Sequence, residues 1–178
     1  MKRYTYAHEK AAFALARKAD RLSAYKDNNG TYWVCTGFIM FASRDIDELI
    51  KLGLIDATGA ILPDKEMSKS AYDGLVGGKY DACALSDTGL AHAHTVKDGK
   101  KSTCKFARIL SVADHHITCV DNDLFAPFLD GAHTQKKANS VIYCYTSACL
   151  DVFVGVVMPL CTGDELKRAL ANTLACAE

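Results

Sequence analysis

The chain has 178 residues and balances 21 basic against 21 acidic side chains. Zero net charge excludes a uniformly basic nucleic-acid binder and a uniformly acidic nucleic-acid mimic, so any electrostatic partner must be met by a local patch. The length suits one domain, 1–178, that needs no disulfide or metal staple to fold.

In chain order, residues 5–22 are expected to be helical. Ala12, Leu15, Ala19 and Leu22 recur at three- and four-residue steps and make an apolar stripe. Arg3, Lys10, Arg17 and Arg21 fall on another face. They are the candidate contacts for a partner or a nucleic-acid backbone, weighed against a plain solvated face. Leu22–Tyr25 and Thr31–Phe41 are rich in aromatic and β-branched residues around Asp27-Asn28-Asn29-Gly30, which predicts a β-hairpin. Asp45–Leu54 reads as a short helix capped by Asp45 and stopped at Gly53. Residues 56–79 hold Gly59, Pro63, Gly74, Gly77 and Gly78 and read as an irregular connection.

Tyr80–Leu85, Leu90–Val96, Ser102–Leu110 and His115–Val120 then predict an antiparallel meander. Its turns are Asp87-Thr88-Gly89, Asp98-Gly99 and Ala113-Asp114. A short helix follows, with Leu124, Phe125, Phe128 and Leu129 as its apolar face, Asp121 or Asp123 as cap and Gly131 as stop. Pro127 fits it only within the first turn. Residues 132–139 read as a polar loop, and Val141–Tyr145 with Val152–Met158 as a last hairpin. Val152–Leu160 is the longest apolar run and too short to span a bilayer. Thr162-Gly163-Asp164-Glu165 opens a final helix that buries Leu166, Leu170 and Leu174. The expected fold class is α+β: an antiparallel β-sheet with helices packed on one face, and a loose echo of helix-plus-strand-pair in the two halves.

The eight cysteines, Cys35, Cys83, Cys104, Cys119, Cys144, Cys149, Cys161 and Cys176, are scattered with no C-x-x-C pair. Several lie in apolar runs, and the opening MKRYTYAHEK is polar rather than a signal sequence. Eight free thiols in a reducing cytoplasm are expected.

Candidate chemistry is sparse. His92 and His94 sit two apart on a strand, and His115, His116 and Cys119 could add ligands, but nothing in the spacing requires a metal site. Asp121, Asp123 and Asp130, like Asp45, Asp47 and Glu48, are explained by capping and dipole effects. Leu75-Val76-Gly77-Gly78-Lys79 resembles a phosphate loop but lacks a following helix signal. No nucleophile elbow, Walker loop or dinucleotide fingerprint is present. No cofactor, metal or enzymatic activity is therefore expected, with a metal- or thiol-dependent enzyme as the remaining alternative.

Two family resemblances narrow the reading. Thr36-Gly37-Phe38-Ile39-Met40-Phe41 resembles the short apolar strand of DNA polymerase sliding-clamp domains, without that family's Asp. Val120–Phe125 followed by Val152–Leu160 resembles the clamp ending of short helix, hairpin and apolar strand closing in Met-Pro. With the basic first helix these cover about half of the chain. The resemblance implies a clamp-like domain with Arg3, Lys10, Arg17 and Arg21 facing DNA. In length and in its opening segment, MKRYTYAHEKAAFALARKAD, the chain is also similar to anti-CRISPR proteins of phages and plasmids of gut Firmicutes, which inhibit type II CRISPR effector nucleases. That implies a cytoplasmic, non-enzymatic inhibitor whose partner is the nuclease or its guide-loaded complex.

Overall fold

The computed structural model describes residues 7–98, 101–112, 116–136, 140–146 and 152–160, together with Arg168 and Asn172. Helix α1 (Ala7–Ala16) leads into strands β1 (Ser23–Lys26), β2 (Tyr32–Cys35) and β3 (Ile39–Ser43). Helices α2 (Ile46–Lys51) and α3 (Lys69–Val76) follow. Then come β4 (Cys83–Asp98), β5 (Lys101–Val112), β6 (His116–Asp121), α4 (Asn122–Phe125), β7 (Ala132–Gln135), β8 (Ile142–Tyr145) and β9 (Phe153–Val157). The strands form one antiparallel sheet in the order β1-β2-β3-β9-β8-β7-β4-β5-β6. The expected α+β class is what the chain adopts.

The order has a mirrored centre. Helix α1 followed by β1-β2-β3 meets α4 followed by β7-β8-β9, joined where β3 pairs antiparallel to β9 through Ile39↔Val157, Met40↔Val156 and Phe41↔Gly155. The echo in the sequence is this pair of half-sheets.

Local chemistry explains most element ends. The Asp27 carboxylate accepts from the backbone N–H groups of Asn29 and Thr31, both at 2.9 Å, and from the Trp33 indole N–H at 3.0 Å. Gly30 takes φ 76° in that turn. The Asp45 carboxylate accepts from Glu48 N–H at 3.1 Å and caps α2, as expected, and Gly53 stops it at φ 65°. Asp121 caps α4 through the N–H groups of Asp123 and Leu124. Pro127 lies in the 3-10 turn Ala126–Phe128 that follows, at a position where no helical N–H is lost.

Five expectations need correction. The first helix ends at Ala16 rather than at residue 22: Lys18 N–H reaches Leu15 O and Ala19 N–H reaches Ala16 O, a tightened last turn that releases the chain toward β1. The strand expected over Thr31–Phe41 is two strands, because Gly37 turns at φ 91° and Thr36 N–H closes onto Ile39 O. Residues 56–79 are not irregular throughout. Ser68 caps α3 through Ala71 N–H, and Tyr72, Leu75 and Val76 give it an apolar side, a signal outweighed in the sequence by three glycines. Asp87-Thr88-Gly89 is a bulge inside one continuous strand, not a turn between two. Residues 132–135 are the buried strand β7, whose polar side chains His133, Thr134 and Gln135 hid it. The expected C-terminal helix lies outside the described residues apart from Arg168 and Asn172, which are helical and exposed.

Strand alternation sends side chains to two cores. On one face α1, α2 and α4 cover Val34, Ile39, Phe41, Ile142 and Cys144, with Phe13 edge-on to Phe41 at 5.2 Å. On the other, α3 lays Tyr72 over Tyr25 and Trp33, and Trp33 stacks on Phe153 at 5.2 Å. Helices therefore pack as expected on one face, and α3 adds a cover to the second. Burial pushes the Tyr72 hydroxyl up to about 12.

The sheet is also strongly curled. Gln135 of β7 donates to Thr118 of β6 at 3.2 Å although β4 and β5 lie between them in strand order. In a flat sheet those strands would stand about 14 Å apart. Leu160, just beyond β9, likewise reaches β6, its N–H on Cys119 O at 2.8 Å. Among the described residues no helix is long and apolar enough to cross a membrane.

Two predictions test this account. A Cβ added at Gly155 would stand 2.3 Å from Met40 O and 3.0 Å from the Phe128 ring. Gly155→Ala is expected to lower stability by about 1–3 kcal/mol in urea unfolding, since β3, β9 and the turn after α4 meet there. His133 is buried, with Nε2 2.7 Å from Phe128 O. Burial lowers its pKa, aided by Arg108 and outweighing the opposite pull of the Phe128 hydrogen bond and Asp87. Burial lowers His8 as well. A lowered histidine favours the neutral folded form, so its stability contribution is whole above the unfolded value of about 6.5 and falls as pH drops below it. Thermal midpoints should fall between neutral and mildly acidic pH, and His133→Asn should shallow that fall. An unchanged midpoint would refute the assignment.

Candidate functional site

Strands β4 and β5 outlast their neighbours. β7 pairs with β4 only over Cys83–Leu85, and β6 pairs with β5 only from Ala107 onward. From Ala93↔Phe106 to Asp98↔Lys101 the two strands pair with each other and, among the described residues, with no third strand. These six rows make a two-stranded arm about 20 Å long at ~3.4 Å per residue. An isolated hairpin is marginal in water, so the body must hold this one at its root.

The root is built for that. Gly89 takes φ 70° in the β4 bulge, and its N–H is held by the Asp87 carboxylate at 3.0 Å. The Thr88 hydroxyl donates to Ile109 O at 2.8 Å and accepts from Leu90 N–H. Arg108 Nε donates to the same Asp87 carboxylate at 2.8 Å, and a second guanidinium nitrogen reaches Asn122. Burial works to raise the Asp87 carboxyl, but the Arg108 and Gly89 hydrogen bonds outweigh it and hold it below the ordinary value. Lys105 Nζ lies 2.9 Å from Asp121, the buried cap of α4. Leu90, Ile117 and Leu160 pack on Ala107, Ile109 and Cys119 beneath these charges.

Above the root the arm has two unlike faces. Row partners share a face and successive rows alternate. Ala91, Ala93, Thr95, Ser102, Cys104 and Phe106 lie on one face, all exposed, with Phe106 at 54%, and the register puts half-buried Arg108 and the position of Lys97 on the same face. It continues the face that α1, α2 and α4 cover in the body. The other face carries half-buried His92, Lys105 and exposed Thr103. The register rows beside the tip place Lys97 and Lys101 on opposite strands. Periodicity marked these strands in the sequence, but not that their neighbours stop short.

The residues singled out from sequence fare unequally. Lys10 and Arg21 are exposed, Arg21 beyond the end of α1. Arg17 pairs with Glu48 of α2, which also holds Lys51 at 2.8 Å. Arg3 lies outside the described residues. The expected basic stripe is thus not one helix face. Asp45 and Asp121 act as caps, while Asp47, Asp123 and Asp130 are exposed. Among the described residues no three His, Cys, Asp or Glu side chains converge as metal ligands. His115 and the side chains of His94 and His116 lie outside that description. Gly77 is the C-cap of α3, its N–H on Asp73 O, so the Gly-Gly-Lys segment closes a helix and opens only the 3-10 turn Lys79–Asp81. Lys79 instead stands over the Phe153 and Tyr80 rings.

Cys35, Cys83, Cys104, Cys119 and Cys144 are free thiols. Cys149, Cys161 and Cys176 lie outside the described residues. Burial pushes Cys119 up to about 11 and Cys144 well above the ordinary value, opposite to what a thiolate nucleophile requires.

Because Arg108 ties β5 to Asp87 of β4 and to Asn122 of α4, Arg108→Ala is expected to speed amide hydrogen exchange in 91–106 at least tenfold while leaving β8 and β9 unchanged. Equal exchange in both proteins would show that the bulge alone holds the arm. No family model, curated protein or solved structure matches the chain.

Proposed function

We propose that this chain is a non-enzymatic, cytoplasmic binding protein of a phage or other mobile element that inhibits a type II CRISPR effector nuclease by binding its guide-loaded complex. What supports the reading is the arm: a ribbon rooted by ion pairs and projecting from a packed body enters a cleft that a globular face cannot. Such a nuclease works through channels that hold nucleic acid and a reader of a short DNA motif. Two of the acidic residues in the clusters that could imitate DNA are committed elsewhere, Glu48 to Arg17 and Lys51, Asp121 to α4 and Lys105. The cations fit better, Lys97 and Lys101 near the tip and exposed Lys10 and Arg21 on the body, set against guide RNA or DNA backbone.

A sliding-clamp-like replication accessory is the second reading. It is favoured by the mirrored half-sheets and by α1 lying beside the turn after α4, with His8 stacked on Phe128 at 6.3 Å.

The test is plasmid cleavage by guide-loaded type II nucleases with and without equimolar protein, alongside size exclusion of the mixture. Protection with co-elution is expected. Lys97→Glu with Lys101→Glu should raise the concentration needed at least tenfold, and Lys10→Ala with Arg21→Ala should flatten the salt dependence by about two units of log–log slope. Full cleavage across several orthologues overturns the inhibitor. Retention on closed circular DNA that is lost on linearisation would then establish the clamp-like reading.

A further inference from the structure

We propose that the β4–β5 arm is a basic ribbon that lies in the major groove of duplex DNA. The first observation is where the charge sits. The whole chain is neutral, with 21 basic and 21 acidic side chains. Residues 91–108, which span the arm and its junction with the body, hold Lys97, Lys100, Lys101, Lys105 and Arg108 against a single acid, Asp98. A neutral chain meets a polyanion through such a local patch. The two cations nearest the body serve the root, Lys105 on Asp121 and Arg108 on Asp87. The other three gather around Gly99 at the far end of the sequence segment. The pairing rows set Lys97 opposite Ser102 and Lys101 opposite Asp98, so the positions of these two lysines lie on opposite strands and opposite faces.

The second observation is the arm's shape. From Ala93↔Phe106 to Asp98↔Lys101, among the described residues, no third strand flanks either side of it. The major groove of B-form DNA is about 12 Å wide and about 8.5 Å deep, and it admits a two-stranded ribbon of this kind. Six rows at about 3.4 Å per residue outreach that depth, so the tip reaches the groove floor while the body stays outside. Along the ribbon Thr95, Ser102 and Thr103 are exposed, and a hydroxyl serves phosphate and base edge alike. Exposed Ala91 and Ala93 are small enough for close approach, and exposed Phe106 offers an apolar contact for a thymine methyl. An RNA duplex is the poorer occupant, because the major groove of the A-form helix is deep and narrow. A single strand is poorer too: it is held by stacking on aromatic rings, and Phe106 is the only Phe, Tyr or Trp in 91–108. The arm contacts DNA with no nuclease present, whichever reading of the protein's function holds.

Fluorescence anisotropy of a short labelled DNA duplex with the intact chain, and no nuclease, tests it. Binding is expected with a Kd of about 1–100 µM and a log–log salt slope of about three. Lys97→Ala with Lys101→Ala should weaken binding at least tenfold and reduce the slope by about two, while Lys97→Arg with Lys101→Arg should keep both. Thr95→Glu, midway along the ribbon, should weaken binding at least tenfold with the far-ultraviolet circular dichroism unchanged. An RNA duplex of the same sequence should bind at least fivefold more weakly. No binding at low salt overturns the proposal. So does binding indifferent to the Lys97→Ala, Lys101→Ala pair, which would use another surface. Indifference to Thr95→Glu, or equal affinity for the two duplexes, overturns it as well, since the contact would then lie outside the groove. Plasmid protection is read separately, so failure of either assay leaves the other standing.

Discussion

The pairing of β3 with β9 is the contact on which the rest of the structure depends. It joins Met40 to Val156, residues from opposite ends of the chain, and turns two three-stranded meanders into one sheet. Neither meander buries both faces alone. Once joined, they present a continuous platform, with α1, α2 and α4 on one side and α3 on the other. Gly155 sits in the seam because Met40 O and the Phe128 ring occupy the space a side chain would need. Such long-range pairing carries a loop-closure cost that the completed core must offset.

From that platform the sheet continues through β4, β5 and β6 and curls until β6 meets Gln135 and Leu160. The arm stands free because its neighbours are short: β6 ends at Asp121, where α4 begins, and β7 starts at Ala132 after the turn that follows α4, so the longest strands run on without them. The β4 bulge is where the directions part, and the ion pairs of Arg108 and Lys105 gather there. Asp121 is buried and Asp87 exposed, and both carboxylates also accept from backbone N–H groups, so each cation meets an acceptor already held in place.

The sequence was most legible where a residue acts on its own neighbours. Asp45, Asp121 and the Asp27–Gly30 turn do what their side chains dictate, because capping and tight turns are decided within three or four residues. It was least legible where burial overrides local preference. β7 reads as a polar loop because His133, Thr134 and Gln135 are hydrophilic, yet the His133 ring finds Phe128 O and the Gln135 amide finds Thr118 and Ser140 O inside the fold. Helix α3 was masked by Gly74, Gly77 and Gly78, and it is the aromatic face around Trp33 that makes its apolar side worth burying. Of the candidate contacts, Lys10 and Arg21 kept the exposure their charge implies, while Arg17 was taken by Glu48, a residue 31 positions away that no helical spacing could reveal.

By itself, then, the sequence determined an α+β chain of balanced charge, the Asp27–Gly30 turn, the helix caps, and the strand character of Leu90–Val96 and Ser102–Leu110, since each follows from short-range sterics, hydrogen bonding and hydrophobic period. Only the tertiary structure decided which strands are flanked and which stand free. An arm is not a property of β4 and β5 but of where β6 and β7 stop, and which of its faces is left bare depends on where the helices of the other half come to rest.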